Sequence, residues 1–266
     1  MKKKDNRKPV GRQLTLDDFK KNEELLLDNM KSAFKEVNNA TLEWLRTPQA
    51  EEYYKRRGQQ LAKFMSESGI REEWDNIIHK RATRGADLTS QIYDYARKLG
   101  RQQELREYTE TETIAMNKLC DYNYELIRNV TNDQVSSIRR YLIQDYAEGN
   151  NPRRTSMKAE LEHLQLEPIN GWTPQQRAEV IARTESARAL DTATLESYRA
   201  DGITMVSLYG DYNDGKCDEC AKYGMGSTEY PNGVPIEDAL EIGVPHPNCR
   251  CVWLPETRID NDKKEE

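Results

Sequence analysis

Four of the five cysteines of this chain lie in one short stretch. Cys217 and Cys220 form a C-x-x-C pair, and His246, Cys249 and Cys251 form an H-x-x-C-x-C string after an intervening loop. Two tight turns that each present thiolates or imidazoles are typical of a small structural zinc site with tetrahedral coordination. The sequence therefore predicts a structural zinc ion in residues 217–251, a stretch that we call the metal loop.

Five candidate ligands compete for the four positions around such an ion. Pro and Asn lie between His246 and Cys249, which predicts a β-turn that brings its two ends within about 7 Å. Cys249 and Cys251 are two positions apart, so their side chains leave the same face of an extended segment. We expect Cys217, Cys220 and Cys249 to be ligands, and the fourth position is open between Cys251 and His246.

Other roles for these cysteines are possible. Disulfide bonds are one alternative, but no other feature of the chain is typical of a secreted protein. A catalytic zinc ion would keep an open coordination position, usually beside a general base. Five clustered thiol or imidazole candidates instead favour a closed structural site. The remaining cysteine, Cys120, is expected to be a small apolar residue of a helix.

The composition limits the functions that the whole chain can have. Of its 266 residues, 32% are charged and 36% are hydrophobic, and the mean hydropathy is −0.96. We therefore expect extended helices with much solvated surface, or a surface that partners cover. The net charge of −6 argues against a nucleic-acid-binding surface spread over the whole protein, although a local basic patch is compatible with it.

We expect neither a membrane span nor a signal peptide in this sequence. No apolar run approaches the ~18 residues of a membrane span, so we expect no membrane association. The basic start is not followed by an apolar stretch and is not typical of a signal peptide, which favours synthesis in a reducing cytoplasm. Residues 1–14 are expected to form a flexible basic tail, and residues 255–266 a charged disordered tail.

Residues 15–149 are predicted to form a helical arm. Thr15 can cap its first helix, whose apolar side chains recur at steps of three and four. This apolar stripe, expected to be core or partner-facing surface, consists of Leu26, Met30, Phe34, Val37, Thr41 and Leu45. Pro48 should end the first helix, and a later helix should be broken near Gly85 and stop near Gly100.

Three further patterns subdivide this helical region. A second helix should run through Tyr53, Tyr54, Leu61, Phe64 and Met65 and end at Gly69. The segment Thr131–Gln134 matches a capping box, which predicts that a new helix starts there. The segment Gly149–Pro152 is the clearest break in the chain, and we expect a domain boundary at that point.

Residues 150–254 are predicted to form a small α+β domain. Thr173–Gln176 is a second capping box, and the alanine-rich helix that it starts should end at Gly202. Strands are expected at 203–209 and 251–254, where they should pair and hold the metal loop between them. The chain is thus predicted to be mainly α with a small α+β C-terminal domain, in which long amphipathic helices precede a helix, short strands and a zinc-knuckle loop.

The order of these elements resembles a known protein family. Ile181–Glu185, with the sequence IARTE, lies on the predicted helix, and a strand and the C-x-x-C pair follow. A loop with Gly233 and Pro235 comes next, and Pro245–Cys251, with the sequence PHPNCRC, ends the pattern. In this order the segments resemble the phage Mu F-like minor head protein family, the head-morphogenesis domain of tailed phages. The resemblance covers about residues 150–254.

The resemblance implies a minor capsid protein that acts in procapsid assembly and in DNA packaging or ejection. It implies binding to the phage portal protein, with scaffold protein, major capsid protein and phage DNA as further candidate partners. The location that it implies is the virion head, inside the procapsid and near the portal, after synthesis in a bacterial cytoplasm. Residues 15–149 would then be the portal-docking region.

Two other functions are open. An ADP-ribosyltransferase-like or other toxin-type enzyme could use Arg183 and Glu185 at an active site, whereas in a packing role the same pair would fix the helix to the metal loop. We favour the packing role and expect no catalysis, because the chain has no nucleotide-binding, serine-hydrolase or zinc-protease motif. A zinc-ribbon nucleic-acid binder is disfavoured because Lys216, Lys222 and Arg250 are few and acidic residues oppose them.

Overall fold

A computed structural model describes residues 14–55, 69–99, 107–148, 156–164, 171–210 and 217–256. Several predictions fall outside these residues. They are the basic tail before residue 14, the part of the second helix after Lys55, the break at Gly149–Pro152, and the charged tail from residue 257 onwards. The start of that second helix, at Tyr53 and Tyr54, is described and is helical.

Helices dominate the described residues, with a small sheet at the metal loop. The helices before the metal loop are α1 (Leu16–Leu45), α2 (Pro48–Lys55), α3 (Ile70–Leu99), α4 (Glu110–Ala147), α5 (Met157–Glu162) and α6 (Pro174–Ala200). The remaining elements are β1 (Met205–Tyr209), α7 (Asp218–Ala221), β2 (Val234–Pro235), α8 (Ile236–Ile242) and β3 (Val252–Pro255). This confirms the predicted class, mainly α with a small α+β C-terminal region.

Helix α1 begins and ends where the sequence predicts. The Thr15 backbone N–H donates to Asp18 Oδ2 at 2.7 Å, and the Asp18 N–H donates to Thr15 Oγ1 at 3.4 Å, which is reciprocal capping. The helix ends at Leu45, and Pro48 starts α2. Each of the six residues of the apolar stripe is at most 2% exposed. Of the two roles expected for this stripe, the structure therefore shows the core role.

The predicted break at Gly85 is wrong, because α3 continues through this residue. A Cβ atom at position 85 would lie 2.0 Å from Cδ1 of Ile127 on α4 and 3.4 Å from Nδ2 of Asn29 on α1. Glycine in a helix costs about 1 kcal/mol relative to alanine. Here that cost is offset by close packing of α3 against α4, so Gly85 is a packing glycine and not a helix breaker.

The helix start predicted at Thr131–Gln134 is also wrong, because α4 is continuous from Glu110 to Ala147. Thr131 Oγ1 donates to the Ile127 carbonyl oxygen at 2.8 Å. Gln134 Nε2 donates to Asn38 Oδ1 on α1 at 3.1 Å. Both side chains bind partners that a capping box would not give them: Thr131 bonds within its own helix, and Gln134 bonds to another helix.

Helix α6 has the predicted start and end. The Thr173 N–H donates to Gln176 Oε1 at 2.9 Å, and the Gln176 N–H donates to Thr173 Oγ1 at 3.2 Å. The helix ends at Ala200, and Gly202 follows with φ +80°. Buried residues lie on every side of α6. Alanines allow this crowding, and those with at most 1% exposure are Ala178, Ala182, Ala187, Ala189 and Ala193.

The three strands form an antiparallel sheet in the order β2-β1-β3. Leu208 of β1 pairs with Trp253 of β3, and Val206 of β1 pairs with Val234 of β2. The pairing of β1 with β3 confirms the prediction that these strands hold the metal loop between them, whereas β2 and α8 were not predicted. Beneath the sheet lies a core that includes Leu195, Tyr198, Val206, Leu208, Cys220, Val234, Ala239, Cys249 and Trp253.

Contacts within the chain define two units, and neither is continuous in sequence. One unit contains residues 1–23, 89–119 and 183–266, and the other contains residues 24–88 and 120–182. The first unit has the core beneath the sheet. The second has a core of Val37, Trp44, Leu45, Ala50, Ile70, Trp74, Ile77, Ile138, Leu142, Met157 and Leu161. The sequence prediction instead grouped residues 150–182 with the metal loop.

Candidate metal centre

The first cysteine pair lies at the start of α7. Cys217 is the N-cap of this helix, and its Sγ accepts a hydrogen bond from the Cys220 backbone N–H at 3.3 Å. The two residues are three positions apart in a helical turn, so their side chains lie on the same side of it. Cys217 is exposed and Cys220 is buried, so this pair reaches from the surface into the core beneath the sheet.

The second set of donors is presented by the predicted turn. The Cys249 N–H donates to the His246 carbonyl oxygen at 3.2 Å, which confirms a β-turn. Asn248, its third residue, has φ +66°, a left-handed conformation that Asn tolerates better than most residues. His246 Nδ1 lies 2.7 Å from the Pro247 carbonyl oxygen. Because a carbonyl only accepts, this contact places the proton of the neutral ring on Nδ1 and leaves Nε2 to bind a metal.

Cys220 lies at the centre of a cluster of five donor atoms. His246 Nε2 is 3.1 Å from the sulfurs of both Cys217 and Cys220, and Cys249 Sγ is 3.5 Å from Cys220 Sγ. Two overlapping triplets result, each with its donor atoms within 4.8 Å of one another: Cys217, Cys220 and His246, and Cys220, Cys249 and Cys251. The structure thus brings together all five residues named from the sequence, and the cluster could hold a metal ion.

The spacing of these atoms fits metal coordination better than disulfide formation. A disulfide has an S–S bond of about 2.05 Å. A tetrahedral ion with metal–sulfur bonds of about 2.3 Å has sulfur–sulfur edges of about 3.8 Å. The 3.5 Å between Cys220 and Cys249 is close to that edge, and the cysteines of the described residues are free thiols. His246 and Cys251 both remain candidates for the fourth position.

The crowded thiols shift one another's protonation. Hydrogen bonds from Cys220 and then Cys251 lower the pKa of Cys249 well below its ordinary value. The same contact with Cys249 raises the pKa of Cys220. The contact therefore favours a thiolate at Cys249 beside a neutral thiol at Cys220, and a metal ion must displace the remaining thiol protons as it binds.

A carboxylate on α1 binds one arginine of α6 and one arginine of the metal loop. Glu23 Oε1 accepts from Arg183 Nε of α6 at 3.1 Å, and Glu23 Oε2 accepts from Arg250 Nη2 at 2.7 Å. Arg250 lies between the ligand candidates Cys249 and Cys251. The Glu23 side chain is 11% exposed, so these charge-assisted hydrogen bonds are shielded from much of the solvent. Glu23 thus ties the start of α1 to α6 and to the metal loop.

Two consecutive residues of α6 bind the turn of the metal loop at Asn248. Arg183 Nη1 donates to Asn248 Oδ1 at 3.1 Å, and the Asn248 N–H donates to Thr184 Oγ1 at 3.1 Å. The left-handed residue of the turn is therefore bound through both its side chain and its backbone. These contacts fix the segment that carries His246 and Cys249 against α6.

The predicted pair Arg183 and Glu185 separates into two ion pairs. Arg183 contacts the metal loop and Glu23, as described above. Glu185 instead accepts from Arg188 Nε at 3.1 Å, one turn further along α6. Burial raises the pKa of Glu185, and the neighbouring Arg188 opposes that shift. With 3% exposure, Glu185 is a buried residue of α6 and not a surface group.

A second buried carboxyl of α6 lies near the cysteine cluster. Asp191 is 1% exposed, and among the described residues its Oδ1 has no hydrogen-bond partner. Burial raises its pKa well above the ordinary value, and the charge on Cys249 adds to this shift. Burial next to the cysteine cluster therefore disfavours the charged form of Asp191.

Three residues of this centre were not identified as functional from the sequence. Glu23 stands among other acidic residues of α1, and nothing local distinguishes it. Thr184 and Asn248 were part of the quoted IARTE and HPNCRC segments, but only as components of a pattern. Thr184 and Asn248 could have been found by pairing these two segments, since a buried hydrogen-bond acceptor in one segment requires a donor in the other.

Comparisons with known proteins give no relative for this chain. No family model matches it, and no curated protein or solved structure is significantly similar to it. Within the described residues, no helix is both long and apolar enough to cross a membrane.

Proposed function

We propose that this protein is a minor head protein of a tailed phage, bound to the portal and stabilised by a structural zinc ion. In this proposal it acts in procapsid assembly and in DNA packaging or ejection. The sequence order of the IARTE helix, the C-x-x-C pair and the HPNCRC string supports it. The structural observation that carries it is the contact of Arg183 and Thr184 with Asn248. Two segments that are distant in sequence, and on which the resemblance rests, form one structural unit.

The donor set supports zinc as the metal. Thiolate and imidazole ligands together suit zinc, whereas magnesium and calcium prefer oxygen donors. Cys217, Cys220 and Cys249 would hold the ion, together with His246 or Cys251. A zinc ion with four protein ligands has no open position for substrate, so its role here would be to fix the metal loop against α6.

The environment of Glu185 supports a packing role over the enzymatic alternative. A catalytic glutamate must reach substrate, whereas this carboxylate is buried on α6 and bound to Arg188. Arg183 is half-buried and already binds Glu23 and Asn248. The pair that could have formed an active site is thus used to attach the metal loop and to pack α6.

The proposal is tested by co-expressing the tagged protein with the portal protein from the same phage genome and by analysing purified heads. We expect the chain to co-purify with portal and to be present in heads at low copy number. A truncation of the helical arm is unsuitable, because it would also remove Glu23 from the metal loop. Cys220→Ser should lose incorporation together with zinc, while the matched Cys120→Ser should keep both. Absence of the wild-type protein from heads and from portal complexes would contradict the proposal.

A further inference from the structure

A small surface cavity between α3 and α4 is separate from the metal centre. Its volume is about 130 Å³, and its lining residues are Arg71, Trp74 and Asp75 of α3 and Asn132, Val135, Ser136 and Arg139 of α4. The α3 residues occupy positions i, i+3 and i+4, and the α4 residues occupy positions i, i+3, i+4 and i+7. Each set therefore forms one face of its helix, and the two faces enclose the cavity.

The side chains around this cavity are mainly hydrogen-bond donors. Within the part of the chain that the structure describes, neither Arg71 nor Arg139 forms an ion pair or a hydrogen bond. The Asn132 amide and the Ser136 hydroxyl add neutral donors from the same face of α4. Trp74 is 2% exposed and its Nε1–H donates to Thr41 at 3.2 Å, so the indole forms a fixed floor. Two unpaired guanidinium groups over a rigid floor favour an anionic ligand.

From these residues we infer that the cavity binds one phosphate group. Ligand pockets for whole small molecules have volumes of roughly 300–1,000 Å³, so this cavity is sized for one oxyanion. Four donor side chains on two helices surround it, which suits a tetrahedral oxyanion with several acceptor oxygens better than a planar carboxylate. The Asp75 carboxylate at the same cavity opposes the anion and limits its affinity. The phosphate can be free or part of a polynucleotide backbone, and the inference does not depend on the proposed head function.

The probe that tests this site is sodium phosphate, titrated against the full-length protein at constant ionic strength. The ¹H–¹⁵N resonance of the Trp74 indole, assigned with Trp74→Phe, reports binding at the cavity floor. We expect a saturable shift with a dissociation constant on the order of 1 mM. Arg71→Gln and Arg139→Gln should each weaken binding about tenfold. Asp75→Asn should tighten it at least about threefold, because the opposing charge is removed.

Arg84→Gln is the matched control, since Arg84 is an exposed arginine of the same helix outside the cavity, and it should leave the affinity unchanged.

A labelled single-stranded oligonucleotide identifies the source of the phosphate. If it competes at much lower concentration than free phosphate, the ligand is a polynucleotide backbone, and if it does not, the ligand is a free phosphate. Absence of a saturable shift with either probe overturns the inference. So does binding that Arg71→Gln and Arg139→Gln leave unchanged.

Discussion

Glu23 and Arg250 are separated by 227 positions in the sequence, yet a guanidinium nitrogen of Arg250 lies 2.7 Å from a carboxylate oxygen of Glu23. Because Arg250 lies between two candidate ligands, this bond connects α1 directly to the metal loop. Glu23 also accepts from Arg183, so one carboxylate pairs with two arginines. The segment that carries the candidate ligands is therefore bonded to the first helix of the described residues.

We predict that Glu23→Gln lowers the free energy of unfolding by about 1–3 kcal/mol, because two half-buried guanidinium groups lose their charged partner. Urea denaturation followed by circular dichroism measures this. Metal release to a chelator should also become faster. Glu125→Gln is the control: it removes an i,i+3 pair with Arg128 whose side chains are 49% and 47% exposed, and it should cost less than about 0.5 kcal/mol. Equal costs for the two variants would contradict the attachment role of Glu23.

Asn248 combines a left-handed backbone with a side-chain contact, and two substitutions separate these contributions. Asn248→Gly keeps the conformation and loses the acceptor for Arg183, which should cost about 0.5–1.5 kcal/mol. Asn248→Ala loses the acceptor and adds backbone strain of roughly 1–2 kcal/mol. Melting of the metal-loaded protein should therefore rank wild type above Gly and Gly above Ala. Equal stability of the Ala and Gly variants would show that the backbone at position 248 is not strained.

Gly85→Ala tests the packing of α3 against α4. Alanine improves helix propensity by about 1 kcal/mol, but its Cβ would lie 2.0 Å from Ile127 Cδ1, and such overpacking costs typically 1–3 kcal/mol. We predict net destabilisation in chemical denaturation. Ile127→Val removes the clashing methyl group, so the double variant should be more stable than the sum of the single effects predicts. Additive effects would show that the two residues do not contact each other.

The ion pair of Glu36 with Arg81 predicts a pH dependence. The Arg81 hydrogen bond, opposed by burial, lowers the pKa of Glu36 from its ordinary value of 4.5. A lowered carboxyl pKa gives stability that is present above pH 4.5 and is lost as pH falls through the folded-state pKa. Glu36→Gln should therefore cost about 0.5–1 kcal/mol at pH 7, since the pair is partly exposed, and progressively less in acid.

Urea denaturation of wild type and Glu36→Gln between pH 7 and pH 3 measures this difference. In an Arg81→Gln background the Glu36→Gln difference should become small and nearly independent of pH. A difference that stays constant down to pH 3 in the wild-type background would contradict the assignment of the pair. Because both proteins share the metal centre, its own acid sensitivity cancels in the comparison.

The sequence predicted those parts of the fold that local chemistry determines. Thr15 and Thr173 start helices because their capping partners lie three residues away, and the turn before Cys249 forms from its own Pro and Asn. The donors of the metal centre were found for the same reason, since their spacing is a local property. Thr131 and Gly85 were misread because Gln134 binds Asn38 and Gly85 packs against Ile127, contacts between helices that no local pattern encodes. Glu23 was missed for the same reason, because its partners Arg183 and Arg250 are distant in sequence.

The fourth ligand can be identified by comparing two variants. His246→Ala and Cys251→Ser each remove one candidate donor, and both donors lie in the cluster. Removal of the true ligand should lower zinc affinity by several orders of magnitude, whereas removal of its neighbour should lower it far less. A competition titration with a zinc chelator measures both. If neither variant alters affinity, neither residue is a ligand.

The most direct test of the proposed zinc site is the metal content of the protein purified from a reducing cytoplasm. A structural zinc ion contributes on the order of 10 kcal/mol, comparable to the entire ~5–15 kcal/mol net stability of a domain. We predict one zinc ion per chain by elemental analysis, lost in Cys217→Ser, Cys220→Ser and Cys249→Ser, with unfolding of the unit that contains the metal loop. Cys120→Ser should keep the ion. A folded, metal-free wild-type protein in which Cys217 or Cys220 is disulfide-bonded to Cys249 would contradict the account.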